Sequence, residues 1–366
     1  MWWLLFACSK PPPASPPGVL LITMDTWRAD HLSEALTPNA WKIGQLGARY
    51  ENAFTTIGLT TPAHASLFTG KTPQEHGMHG NNHHGYELAL SHKTIAEIYK
   101  KNGWATGAFV SAYPAGPTGG MDQGFQRFDG PAAGERASEL TIARADEWIG
   151  EQHTPWFLWI HTYGPHGPYK GAKNIGEKAA YAAEVKADDA LIGPISRRVL
   201  SGGGSVIVTS DHGEVLDEET CNWQHERSSA DTVFRIPLVI AGPKVTPGVH
   251  TERVGIVDVF STLLDLAGIE KDPSLASHSL LRPQHRPVWI AESGLCEAAC
   301  SPGCTPEGIL GKDIVAITDA GRLTFRPGRG FEGLMDLKSS LIEYGGPTGP
   351  SASPNIEEGK ALGYLD

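Results

Sequence analysis

Basic residues are in deficit: 30 Lys and Arg against 41 Asp and Glu give a formal net charge of −11 over 366 residues. Such a chain lacks the cationic footprint that a phosphate backbone demands, which excludes nucleic acid as its main partner. Long apolar runs are missing too. After the short apolar start, none reaches the roughly 18 residues of a spanning helix. Charged residues make up only 19% and apolar residues 40%, which excludes a coiled coil and a disordered chain. Cysteine is scarce, five in all, and four of these lie far from the amino terminus: Cys221, Cys296, Cys300 and Cys304. In an exported chain this even set predicts two disulfides, with three possible pairings. The spacing of Cys296, Cys300 and Cys304, with no His beside them, argues against a metal knuckle. No internal repeat is present.

What is plentiful is glycine (43) and proline (27), which predicts many turns on a chain long enough for one large α/β domain. Met1-Trp2-Trp3-Leu4-Leu5-Phe6-Ala7-Cys8 is a short apolar run closed by a cysteine, and a Pro-rich tether follows through Pro17. Leu5-Phe6-Ala7-Cys8 is similar to a bacterial lipobox. It predicts an exported lipoprotein, lipidated on Cys8 and held at the membrane by that anchor only. Val19–Thr23, Trp156–Ile160, Ser205–Thr209 and Pro237–Ala241 are short unbroken apolar runs, as expected of strands buried on both faces of a mostly parallel sheet. Between them helices are expected from Thr37-Pro38, over Lys93–Asn102, Glu135–Glu151, Tyr181–Leu200 with a kink or break at Pro194, and Val257–Ala267. Asp313–Asp319 and Gly321–Arg326 read as a hairpin around Ala320-Gly321. The expected organisation is a tether over 1–17, an α/β domain with helices on both faces over 18–285, a small antiparallel subdomain over 286–345 and a tail over 346–366.

Ligand-type residues stand where the apolar runs end. Val19–Met24 ends in Asp25; Val206–Ser210 ends in Asp211-His212-Gly213-Glu214; Trp156–Ile160 ends in His161, with His166 following. Sites in open α/β sheets form beyond the carboxyl ends of strands, and carboxylates placed there need a positive partner. Asp25, Asp211 and His212 therefore predict one divalent-metal site, with Ca, Mg, Mn and Zn all compatible. In Thr60-Thr61-Pro62-Ala63-His64-Ala65-Ser66-Leu67-Phe68-Thr69-Gly70, Thr61 reads as the helix N-cap, Pro62 as the first helical residue and Gly70 as the C-cap. Thr60 then lies beside a helix N-terminus, which favours anions. Its hydroxyl needs a metal or a base to become a nucleophile.

At these residues the chain resembles the sulfatase family of the alkaline phosphatase superfamily. Val19 to Leu32 is similar to the family's opening motif, and Thr60 to Gly70 to its nucleophile signature Cys-x-Pro-x-Arg-x4-Thr-Gly. Further similarity follows in order: Gly107 to Phe125, His161 to Tyr169, Ser210 to Glu214, Gln224-His225-Glu226 before Arg235-Ile236-Pro237-Leu238, and Leu334 to Leu337. The resemblance implies an alkaline-phosphatase-like sandwich and an ester hydrolase. Three departures bear on its substrate. The family's formylglycine is made from Cys or Ser, and position 60 is Thr, so no formylglycine is expected. The signature Arg is His64. The second Asp of the opening pair is Thr26.

Related phosphodiesterases and phosphoethanolamine transferases use a metal-bound Thr, so the resemblance favours phosphoester over sulfate-ester chemistry. Thr60, Asp25, Asp211 and His212 are then the expected metal site. His64, Asn81, His166 and His225 are candidates for holding the equatorial oxygens or protonating the leaving group, with His225 the preferred acid. His161, His166 and His225 could serve a second metal, although Thr162 stands where two-metal relatives place an Asp. The expected partner is a small-molecule, glycan or lipid ester. A sulfatase and a non-catalytic binding lipoprotein on the same fold are the alternatives. Transfer to a lipid is disfavoured because the related transferases usually carry spanning helices. His76, His79, His83 and His84 form a His-rich run that reads either as a wall over the substrate or as an exposed loop.

Overall fold

Apolar strands occupy the middle of the molecule, and the structure, a computed structural model, describes residues 18–170, 172–216, 225–294, 312–326 and 330–344. Its strands are β1 (Gly18–Met24), β2 (Ala48–Phe54), β3 (Ala105–Val110), β4 (Arg127–Asp129), β5 (Trp156–Thr162), β6 (Ser205–Thr209), β7 (Arg235–Ala241), β8 (Gly248–Gly255), β9 (Trp289–Glu292), β10 (Ile314–Thr318), β11 (Gly321–Arg326) and β12 (Gly330–Gly333). Its α-helices are α1 (Pro38–Leu46), α2 (Thr60–Thr69), α3 (Pro73–His76), α4 (Ile95–Lys101), α5 (Ser138–Gly150), α6 (Ala172–Ile175), α7 (Glu177–Ser201), α8 (Asp231–Phe234), α9 (Val257–Ala267) and α10 (Lys338–Glu343).

Eight strands form the main sheet in the order β4-β3-β5-β1-β6-β7-β2-β8. All neighbours are parallel except β7, which runs against both β6 and β2. The central strands read as continuous apolar runs because both faces are covered. Val19 and Leu21 of β1 and Phe157 and Trp159 of β5 join the core shared with α2, α4 and α9. Leu20, Ile22, Leu158 and Ile160 join the core shared with α1, α5 and α7. A second sheet, antiparallel and four-stranded, runs β12-β11-β10-β9, and the β10–β11 hairpin pairs Thr318 with Gly321.

Two expectations need correction. Pro194 neither breaks nor ends α7, which runs unbroken through 25 residues. Tertiary contact outweighs the lost backbone hydrogen bond. Asp189 accepts from the Asn39 and Ala40 N–H groups at the start of α1, and a Cβ on Gly193 would stand 2.2 Å from Asn39 Oδ1, so α1 is docked against this stretch of α7. Helix α2 begins two residues early: Leu59 is the N-cap and Thr60 the first helical residue. The Thr61 N–H is taken by the Asn81 side chain at 2.9 Å, so the cap comes from another loop. Pro62 is then the third helical residue, where its missing N–H would have had no helical partner anyway. Gly70 closes the helix at φ 68, a conformation that suits glycine. Cys8, Cys221, Cys296, Cys300, Cys304 and Gln224 lie outside the described residues.

Candidate metal and nucleophile site

Strands β1, β5 and β6 end together, and that alignment builds the site. Asp25 follows β1, His161 is the sixth residue of β5, and Asp211-His212 follow β6; all four are fully buried. The register pairs Thr23 with both His161 and Thr209, which brings the three strand ends level. Ser210 steadies the turn: its hydroxyl accepts from Trp27 N–H at 3.0 Å and reaches the carbonyls of Met24 and His212.

Three buried polar atoms converge here without hydrogen-bond partners: Asp25 Oδ1, Asp211 Oδ2 and His212 Nε2. They lie within 4.8 Å of one another. His212 Nε2 is 3.4 Å from Asp211 Oδ2 and 3.9 Å from Asp25 Oδ1. The His212 Nδ1–H donates to Gly213 O at 3.0 Å, which leaves the lone pair on Nε2. Unpaired carboxylate oxygens and an imidazole lone pair aimed at one point are costly unless a cation sits there. The donor set fits one divalent metal. Thr60, at the first position of α2, donates its hydroxyl to Asp25 Oδ2 at 3.3 Å, so its oxygen borders the same point.

The surrounding histidines divide by what they touch. His161 Nε2 donates to Asp25 Oδ2 at 3.1 Å. Burial would raise the Asp25 pKa, but this bond and the charges of His166, His212 and His161 outweigh it and hold the carboxyl well below its usual range. His225 sits over His212 with ring centroids 4.4 Å apart and against His166 at 5.0 Å. Its Nδ1 faces Glu214 Oε2 at 3.3 Å. Burial would lower the His225 pKa, but Glu214, Asp25 and Glu226 overcome it and push it up to about 9. His166 Nδ1 donates to Gly167 O at 2.7 Å. The converging ligand groups among the described residues include neither His166 nor His225. A second such group is His64, His161 and Asp211. Burial lowers the His64 pKa to about 4, against the pull of Asp211, and both of its nitrogens face protein atoms, Thr23 Oγ1 and Thr60 O.

Thr26 supplies no ligand in place of an Asp. Its hydroxyl donates back to Asp25 O at 2.7 Å, and its backbone N–H approaches Asp211 Oδ1 at 3.3 Å. It holds φ 58, unusual for a β-branched residue. In the His-rich run, His76 bonds Ser66 Oγ at 2.9 Å and His79 bonds Glu292 at 2.6 Å, while His83 and His84 are exposed. The run is thus half an anchor and half a surface. Sequence reasoning gave no role to Glu214, which orients His225, or to Ser210. Glu214 stands inside the Asp-His-Gly-Glu stretch, where an acid two residues past a buried ligand pair was the available signal.

A model of the sulfatase family matches residues 17–269. The chain belongs to the sulfatase family. It is 23% identical over 354 residues to choline-sulfatase of Rhizobium meliloti (strain 1021), covering 69% of this chain and 68% of that protein. It is 32% identical over 110 residues to a 2,3-bisphosphoglycerate-independent phosphoglycerate mutase of Syntrophotalea carbinolica, covering 30% of this chain and 21% of the mutase. The chain thus spans about a fifth of that curated relative. Among solved structures, the phosphonate monoester hydrolase of Agrobacterium radiobacter superposes with a TM-score of 0.68 at 17% identity, covering 90% of this chain and 94% of that one. At that identity the likeness is one of fold.

Proposed function

We propose that this sulfatase-family chain is a metal-dependent ester hydrolase that cleaves phosphoesters with Thr60 as nucleophile. The observation that carries the reading is the set of three buried, unpartnered ligand atoms beside the Thr60 hydroxyl. Asp25, Asp211 and His212 would hold the cation, which supplies charge neutralisation and a more acidic Thr60 hydroxyl when bound. The Thr60 proton has an acceptor in place, since the hydroxyl already donates to Asp25 Oδ2. Thr60 Oγ attacks phosphorus, the bond to the organic oxygen breaks, and that oxygen takes a proton from His225. The charge of Glu214 keeps His225 protonated near neutrality. Water then hydrolyses the Thr60 ester and restores the hydroxyl. His166 lies against His225, with ring centroids 5.0 Å apart.

A sulfuric ester is the second reading, favoured by the match to choline-sulfatase over 69% of the chain. Thr60 offers no formylglycine, which weighs against it. The organic part is taken to be a small-molecule, glycan or lipid group. No helix among the described residues is long and apolar enough to cross a membrane. Export and attachment through Cys8 rest on the lipobox-like start.

The test is turnover of an aryl phosphate monoester, an aryl phosphodiester and an aryl sulfate after loading with Ca, Mg, Mn or Zn. Phosphoester turnover lost in Thr60→Ala is expected. Faster sulfate turnover would select the second reading. Absence of both turnover and bound metal would leave a binding lipoprotein on this fold.

A further inference from the structure

The peptide unit between Thr60 and Thr61 is held at both ends. It is trans, so the Thr60 carbonyl and the Thr61 N–H point in opposite directions. His64 Nδ1 lies 2.8 Å from the Thr60 carbonyl oxygen, and the Thr61 N–H donates to Asn81 Oδ1 at 2.9 Å. Behind His64 stands a chain of two further groups. Trp159 Nε1 is 3.0 Å from Thr23 Oγ1, and Thr23 Oγ1 is 3.0 Å from His64 Nε2. All four of Thr23, His64, Trp159 and Thr60 are at most 2% exposed, so water does not compete for these bonds.

The proton positions follow from counting. An indole N–H can only donate, so Thr23 Oγ1 accepts from Trp159. The Thr23 hydrogen is then directed at His64 Nε2, its other partner among the described residues. Nε2 accepts it, and the ring proton sits on Nδ1. The carbonyl end demands the same answer: an unprotonated Nδ1 would set lone pair against lone pair at 2.8 Å. Asp211 Oδ2, at 3.9 Å from Nδ1, is too far to claim that proton.

We propose that His64 and Asn81 are positioning residues that grip the Thr60–Thr61 peptide from its two sides, with the His64 tautomer set by Thr23 and Trp159. This rests on the reading of Thr60 as nucleophile. It assigns His64 no contact with the substrate, although it occupies the position of the signature arginine. It also adds Thr23 and Trp159 to the residues on which catalysis depends. Fixing that peptide plane fixes the backbone from which the Thr60 Oγ is aimed, and small misplacements of a nucleophile are expensive in rate.

The test joins a spectrum to kinetics in the full chain. A long-range proton–nitrogen NMR correlation should show His64 neutral and protonated on Nδ1. Thr23→Val, which keeps the shape and removes the hydroxyl, should mix the tautomers and lower kcat about 10- to 100-fold with KM little changed. Thr23→Ser should restore both. Asn81→Leu should lower kcat similarly, and the double variant Thr23→Val/Asn81→Leu should lose less than the product of the two effects, because both act on one peptide. An Nε2-protonated His64, an unchanged kcat in Thr23→Val, or a rise in KM alone would overturn the proposal; the last would make His64 a substrate ligand. The spectrum needs no turnover. Undiminished activity in Thr60→Ala would therefore sink the nucleophile reading while the tautomer assignment is judged separately.

Discussion

His225 owes its charge to one neighbour more than to any other. Burial pulls its pKa down, and the Glu214 charge and hydrogen bond push it back up, with Asp25 and Glu226 helping, to about 9. The protonated form is the one that can give a proton to a leaving oxygen. Activity should therefore fall as pH rises through the His225 pKa. Glu214→Gln removes the negative charge, so less stabilises the imidazolium and the pKa drops. The alkaline limb of the kcat profile should move to lower pH in that variant, by about one unit or more. An unmoved limb would mean that another group supplies the proton. Tyr169 also donates to Glu214 Oε2, at 3.2 Å, and the Val215 N–H to Oε1 at 3.0 Å, so the carboxylate is fixed from both sides.

Among elements, close backbone approach helps to hold the segment that carries His225. The Gly294 N–H donates to Glu226 O at 2.6 Å, and a Cβ on Gly294 would stand 2.5 Å from that oxygen. On the other side, a Cβ on Gly58 would stand 2.8 Å from His225 O. Two glycines thus allow two chains to lie against the His225–Glu226 backbone. Gly294→Ala must push that backbone away and should lower kcat about 10-fold or more while the fold persists, as circular dichroism would check. The same logic explains why α2 starts two residues before the position its local signal indicates. Thr61-Pro62 is a sound local N-terminus signal, but the Asn81 side chain, 20 positions along the chain, satisfies the N–H that a local cap would have taken.

At the scale of the whole molecule, a buried ion pair ties the second sheet to the site. Glu292 at the end of β9 is fully buried and meets Lys312 Nζ at 2.8 Å and His79 Nδ1 at 2.6 Å. The Glu292 N–H donates to Thr56 O, beside the nucleophile helix. His79 leads directly to Gly80 and Asn81, so the small sheet steadies the loop that caps α2. Removing Glu292 takes the negative charge away from the buried Lys312 and from His79. Glu292→Gln should cost about 3–5 kcal/mol in urea unfolding, and Glu292→Gln with Lys312→Met should recover much of that loss. Equal losses in the single and double variants would show that the pair contributes little.

Strands β1, β5, β6 and β7, the capped end of α2 at Gly70 and the hairpin of β10 and β11 were all legible from local pattern. Apolar run length, turn residues and the ligand types at strand ends are written in adjacent positions. Strands β2 and β8 were not legible, because polar residues such as Arg49, Glu51 and Glu252 interrupt them. The unbroken course of α7 through Pro194 was hidden for a different reason: it depends on the docking of α1. By itself the sequence determined the mostly parallel sheet, the family resemblance and which residues could bind a metal. Only the tertiary structure decided that Asp25, Asp211 and His212 leave unpaired atoms at one point, that Glu214 charges His225, and that His64 faces Thr23 and a backbone carbonyl. Those are matters of distance between residues far apart in the chain, and hydrogen-bond partners are chosen by distance and burial.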